Sequence, residues 1–208
     1  ARELLAEEAI KRLRERSLAE SGPEEGWKSL PAIFGMPVEE GAPLRQAPWF
    51  TWGLVGGIML VSLVGLFDES LVADLALVPS GLWRHGGLTL VTSFFLHAGA
   101  LHLLTNMYFL CIFGDNVEDY LGRARFAWLV LAATVAGGLL HVAGDPRSGV
   151  PCIGASGGIS GIIAFYALAF PRSRLGFLWG CGSWRRGWRM EPLSNWIWLP
   201  AWGAFVVW

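Results

Sequence analysis

Charge is what this sequence has least of. Asp, Glu, Lys and Arg make up only 16% of its 208 residues, against about a quarter in an ordinary soluble domain. A chain so poor in charge, and 53% hydrophobic, cannot clothe itself in a solvated surface, which argues against a freely soluble domain. Cysteine is scarce as well. Cys111, Cys152 and Cys181 are odd in number and form no C-x-x-C pair, which speaks against a disulfide framework or a zinc site. The first twenty residues are too charged to read as a secretory signal. No internal repeat is visible, which weighs against a transporter built from two related halves.

The charge that is present is gathered at one end. Residues 1–48 hold 9 of the 17 acidic and 7 of the 16 basic residues, so a polar head precedes an apolar body. Within the head, residues 2–19 place Leu5, Ile10, Leu13 and Leu18 loosely on one face. Glu7–Lys11 and Glu8–Arg12 pairs lie on the others, which predicts an amphipathic helix, either solvated or a regulatory element at a membrane surface. Five prolines between 21 and 48 mark a linker. The body divides into apolar runs near the length of about 20 residues that a membrane span needs. Residues 49–67, 92–114, 126–143 and 153–170 are expected to be four full spans, and 193–208 the start of a fifth. The fold class expected is an all-α, polytopic transmembrane bundle. Its domains are a cytosolic helix and linker over 1–48 and a membrane domain over 49–208. The chain opens on Ala and stops inside "GAFVVW", so it is expected to be a fragment.

Basic residues set the orientation. If the head is cytoplasmic, the inner segments 1–48, 115–125 and 171–192 carry 14 of the 16 Lys and Arg. The outer loops 68–91 and 144–152 carry only Arg84 and Arg147. His102 and Asn106 then fall early in the second span and Ser156 early in the fourth, at similar depth towards the outer face.

Polar side chains inside hydrocarbon need partners, and each one is a candidate for function. His102 and Asn106 are four apart and share a helix face. They read either as two donors for an oxyanion or as hydrogen-bonding glue between spans. His97, nearer the interface, reads as structural. In "GASGGISG", Gly154 and Gly158, and Gly157 and Gly161, are four apart, a spacing that lets helices approach closely. Ser156 stands at the start of its span, where backbone N–H groups are free and suited to bind a developing oxyanion. Ser160, one turn deeper, is either a second polar wall or bonded back to its own helix.

Four stretches, taken in order, carry a resemblance. "HAGALHLLTN" holds H-x-x-x-N at His102–Asn106, and "GASG" at 154–157 matches G-x-S-G. Trp83–Arg84 sits in the first outer loop, and "GDNVEDYLG" over 114–122 is similar to G-x-x-x-E-x-x-x-G. The chain resembles bacterial-type rhomboid intramembrane serine proteases over roughly residues 49–208. The resemblance implies a six-span fold and a serine endopeptidase that cuts transmembrane proteins by a Ser-His dyad. Ser156 would be the nucleophile, with His102, Asn106 and the Ser156 backbone N–H as oxyanion hole. Glu118 would fix the fold together with the framework glycines Gly114, Gly122, Gly154, Gly157 and Gly161. Trp83 and Arg84 would anchor the outer loop. No metal or cofactor is implied, and no nucleic acid. The partners implied are transmembrane substrates and the bilayer of a bacterial plasma membrane, with the N-terminus cytoplasmic.

One departure matters. The family's base is a histidine in an A-H-x-x-G context on the sixth span, and no such segment occurs in the 208 residues. His85, His97 and His141 do not match it, so the chain as it stands is expected to be inactive. The alternative is an inactive rhomboid-like protein that binds transmembrane clients.

Overall fold

The structure is a computed structural model that describes residues 36–39, 44–178 and 196–203. The expected helix over 2–19 lies outside them. The described residues gather into two compact units, a helical one over Leu44–Ala169 and a small sheet built from segments on either side of it.

The sheet starts with β1 (Val38–Glu39). The helical unit starts with α1 (Trp49–Gly65), where Pro48 ends the linker and cannot cap the helix with its side chain. Asp68 then opens α2 (Glu69–Leu75), accepting from the N–H groups of Ser70 and Leu71. The stretch from Pro79 to Gly87 winds through two 3₁₀ turns to α3 (Thr89–Thr92), which continues as a 3₁₀ turn to Phe95. After a break comes α4 (Ala100–Leu121), then α5 (Arg123–Gly144) and α6 (Ser156–Ala169).

The second span is therefore not one helix from residue 92. The pieces 89–95 and 100–121 meet at a bend of 99°. Their hydropathy is continuous, so composition alone runs them together. The expected inner loop over 115–125 is also corrected. Helix α4 runs on to Leu121, and Gly122 alone turns the chain into α5. Its φ of 76° lies in the left-handed region that favours glycine. Among the described residues only α5, at 22 residues, is by itself long and apolar enough to cross a bilayer. Helices α1 and α6 have 17 and 14 residues, the latter about 21 Å long against a hydrocarbon layer of about 30 Å.

Packing is closest between α5 and α6. A Cβ on Gly137 would stand 3.0 Å from the Cα of Gly157, so two backbones touch. Gly161 lies on Ala133, and Gly158 faces Thr134 and Phe94. Beneath this stripe Ile159, Ile162, Ile163 and Tyr166 are fully buried, and the Tyr166 ring meets Phe113 of α4 edge-on at 5.0 Å. Gly114 admits Thr51 of α1, whose side chain would lie 3.2 Å from an added Cβ. The outside is apolar as well: Leu60, Leu63, Leu104, Trp128, Leu140 and Leu168 are all exposed. Such a shell suits lipid rather than water.

The run expected to start a fifth span is not helical where it is described. Residues Trp196–Pro200 form β3, followed by a 3₁₀ turn over Ala201–Gly203. β3 pairs antiparallel with β2 (Arg174–Leu178), with Leu175 opposite Leu199 and Phe177 opposite Ile197. β1 lies on the other edge, with Val38 opposite Gly176. "WIWLP" is short, aromatic and β-branched, and Pro200 lacks the N–H that a helix would need there. A short apolar run with these residues favours a strand once a partner strand is at hand.

Candidate active site

The site forms where the break before α4 meets the start of α6. Gly154 is the pivot. Its φ is 129° and its N–H donates to the Ser93 carbonyl at 3.0 Å. A Cβ at Gly154 would lie 2.9 Å from His102 Cε1, 3.0 Å from His102 Nε2 and 4.0 Å from Ser156 Oγ. Only the absence of that carbon lets the imidazole and the hydroxyl share one small space. Ser156 is the first residue of α6 and its side chain is exposed. The first helical bond of α6 runs from the Ile159 N–H to the Ala155 carbonyl. The N–H groups of Ser156, Gly157 and Gly158 therefore have no helical carbonyl to meet and point past the N-terminus.

Asn106 lies one turn beyond His102 on α4 and is buried. Its Nδ2 donates to the His102 carbonyl at 2.8 Å. That carbonyl can only accept, so the amide orientation is fixed: one hydrogen of Nδ2 is used and one remains. Asn106 Oδ1 is buried without a partner. His102 and Ser156 thus come from two helices and lie against one glycine, while Asn106 sits one turn further along α4, bonded to the His102 carbonyl.

His97 contributes more than its sequence position suggested. Its ring is buried and lies edge-on to His102 with centroids 4.9 Å apart. Ser62 Oγ donates to the Phe95 carbonyl at 2.9 Å, which leaves its oxygen to accept from His97 Nδ1 at 3.1 Å. His97 Nε2 then accepts from the Ala155 N–H at 3.5 Å. These partners select the neutral Nδ1–H tautomer. One histidine so ties α1, the break and the residue before Ser156 together. The H-x-x-x-x-H spacing of His97 and His102 was the only sign of it in the sequence.

Other predicted residues lie apart from this centre. Ser160 Oγ donates to the Ser156 carbonyl at 2.8 Å, the bond back to its own helix. His141 is exposed in the last turn of α5. His85 stands in the 3₁₀ turn over Arg84–Gly87 with a φ of 52°. Arg84 gives its guanidinium to the carbonyls of Ala76 and Asp74 at 2.8 and 3.3 Å, while the neighbouring Trp83 is 79% exposed. The segment between α2 and α3 in turn holds the chain entering the site: Leu77 and Cys152 exchange backbone bonds of 3.2 and 2.7 Å, and the Ser80 N–H donates to the Ser148 carbonyl.

Glu118 lies at the far end of α4. Its Oε1 accepts from the Phe50 N–H at 3.0 Å, and its Oε2 from the Thr51 N–H and hydroxyl at 2.7 and 2.8 Å. It is the cap that Pro48 cannot be. Asp119 beside it accepts from the N–H groups of Arg45 and Gln46.

Comparison with known proteins gives a consistent result. The Rhomboid domain profile matches residues 79–202, more than half of the chain. The "Presenilin-associated rhomboid-like protein A, mitochondrial" of Danio rerio is 31% identical over 93 residues, 44% of this chain and 24% of that protein. The "Putative rhomboid protease YdcA" of Bacillus subtilis (strain 168) is 35% identical over 89 residues, 43% of this chain and 42% of its own length. The "RHOMBOID-like protein 6, mitochondrial" of Arabidopsis thaliana is 34% identical over 81 residues, 39% of this chain and 24% of that protein. The matched part thus spans about a quarter of the two mitochondrial relatives and less than half of the bacterial one. With a profile match over most of its helical unit, an apolar exterior and these motifs, the chain belongs to the rhomboid family of integral membrane proteins.

Proposed function

We propose that this chain is the core of an intramembrane serine endopeptidase that cleaves transmembrane substrates close to one membrane face. The observation that carries the reading is the space at Gly154, which the His102 ring and Ser156 Oγ both border before the open first turn of α6. Ser156 Oγ attacks the scissile carbonyl carbon, and its proton passes to a base. The carbonyl oxygen becomes an oxyanion that accepts from the free Asn106 Nδ2 hydrogen, from His102 and from the N–H groups at the start of α6. Collapse expels the amine, which takes the proton, and water then releases the acyl group from Ser156.

The short α6 supports a site within reach of water. With its C-terminal end at one face, a helix of about 21 Å leaves Ser156 roughly 10 Å below the other. A substrate helix has to unwind there, because its peptide bonds are shielded by its own hydrogen bonds. The basic-residue partition supports residues 1–48 in the cytoplasm and the site on the outer side of a bacterial plasma membrane. Labelling of Cys152 from outside checks that orientation. Burial pushes its thiol pKa up, so the labelling needs alkaline buffer. Labelling only after the membrane is opened, in folded protein, reverses the assignment.

Among the described residues no side chain hydrogen-bonds Ser156 Oγ. The reading therefore takes its base from a histidine outside the 208 residues, and the chain alone is expected to show no turnover. The same observation favours a second reading, an inactive relative that binds transmembrane clients. Cleavage of a model transmembrane substrate by the longer parent protein separates the two. Ser156→Ala abolishes it if the first reading holds. Turnover at the unaltered rate, with contaminating protease excluded, overturns it.

A further inference from the structure

The outer face of α5 carries a pattern that the protease reading does not use. One side of this helix buries Phe126, Val130 and Thr134 and sets Gly137 against α6. The opposite side holds Arg125, Trp128, Ala132, Val135 and Leu139, three or four residues apart and so on one face. All but the half-buried Val135 are exposed, Trp128 by 70%. Arg123 lies on the other side of the helix, and its Nε is 3.8 Å from Glu118 Oε1. Among the described residues no carboxylate pairs with Arg125 in this way. Nor does its charge serve the helix. A helix dipole favours acids in the first turn, and α5 has none there.

The order along this face is that of a phospholipid. A cation comes first, an indole next, and apolar side chains follow. From Arg125 to Leu139 the face runs about 21 Å, half of a bilayer of about 40–45 Å with its headgroups. The guanidinium fork matches phosphate oxygens, and tryptophan settles at the headgroup level. Exposed Trp49 and Tyr120 mark the same end of the helical unit, because Glu118 binds the start of α1. A second copy with its α5 side by side in the same membrane would set Arg125 against its own equivalent, like charge on like.

We propose that the outer face of α5 binds an anionic phospholipid, with Arg125 on the phosphate, Trp128 at the glycerol level and Ala132, Val135 and Leu139 along an acyl chain. The inference rests on the membrane-integral character of the family and is independent of the proteolytic reading.

Photo-crosslinking tests it. The 208-residue chain is placed in phosphatidylcholine nanodiscs with a trace of phosphatidylglycerol or phosphatidylcholine that carries a diazirine in its acyl chain. Labelled residues are mapped by mass spectrometry. At low salt phosphatidylglycerol should label residues 128–139 about fivefold more than phosphatidylcholine does, the share of one arginine at an anionic surface. The exposed residues 59–64 of α1 should take both alike. R125Q should remove the preference. Equal labelling of 128–139 by the two lipids overturns the proposal, as does a preference of the same size on α1 or one that survives R125Q. Loss of the preference to equimolar soluble glycerol phosphate makes the headgroup alone the ligand. Protection of 128–139 in discs that hold two chains makes a second copy the occupant. Either result overturns the proposal too. If labelling of α1 also changes in R125Q, a salt titration of the unaltered protein decides. Loss of the preference at high salt supports the site, and its persistence overturns it.

Discussion

Helix α4 connects two helix N-termini that have been treated in opposite ways. Near its end, Glu118 closes the N-terminus of α1 and satisfies Phe50 and Thr51 with both carboxylate oxygens. Near its start, about 24 Å away along the helix axis, His102 stands beside the N-terminus of α6 and leaves it open, with Asn106 one turn on. Both ends begin from the same problem, backbone donors without helical partners. A closed terminus stabilises the fold. On the proposed reading, an open one keeps its donors for a charge that develops only during a reaction. The comparison separates residues that hold the molecule together from those that are free to act on something else.

The comparison can be broken most severely at the open end. In the cleavage-competent parent, Asn106→Ala should lower kcat by about 10²–10³, the usual cost of one oxyanion donor. Its melting temperature should change little, since Asn106 gives the protein a single bond to its own helix. A large loss of melting temperature with kcat per folded molecule intact would make Asn106 a structural residue.

The closed end should behave in reverse. Glu118→Gln turns one acceptor into a donor that faces an N–H, which costs roughly 1–3 kcal/mol. Thermal unfolding in detergent should show this as a lower midpoint, with kcat of the folded fraction preserved. An unchanged midpoint would remove Glu118 from the group of fold-holding residues.

Ser160→Ala sharpens the boundary between the two groups. Ser160 is one turn from Ser156 and bonded to its carbonyl, so the substitution should shift stability by no more than about 0.5 kcal/mol and leave cleavage near its original rate. The smallest effect belongs to Asp68, which is fully exposed. Hydrogen bonds from Ser70 and the Leu71 N–H hold its carboxyl below the usual range. A lowered folded pKa gives support that is present above the unfolded value of about 3.9 and is lost as pH falls through the folded one. Exchange at the Ser70 and Leu71 amides should therefore speed up, relative to the rest of the chain, only in strong acid.

The sequence carried the open end better than the closed one. His102, Asn106 and Ser156 are polar residues in apolar runs, which is enough to single them out as candidates. The partners of Glu118 lie 67 and 68 residues away, and no local pattern announces such a cap. The break at 96–99 was hidden for a related reason. Hydropathy sums composition along the chain, and "TSFFLHAGALHLL" stays apolar through a bend that tertiary packing imposes. The strands at 174–178 and 196–200 were missed because an apolar run of five residues serves a helix or a strand equally well, and the pairing partner decides. His97 was assigned a structural part, but its bond to Ala155 depends on the bend and was not legible.

Gly122 has a consequence for how the chain assembles. It joins two helices of 22 residues each with a single residue between them. Loop closure costs grow with the length of the loop, and here there is almost none to close. Helices α4 and α5 can therefore form as one local hairpin, whose contacts are close in sequence and quick to make. Folding would begin from that hairpin, and α6, which needs the glycine-lined face of α5, would dock onto a surface already in place. Ser156, the proposed nucleophile, would then be among the last groups to reach its position, so a chain caught halfway through folding would not yet bring it to His102.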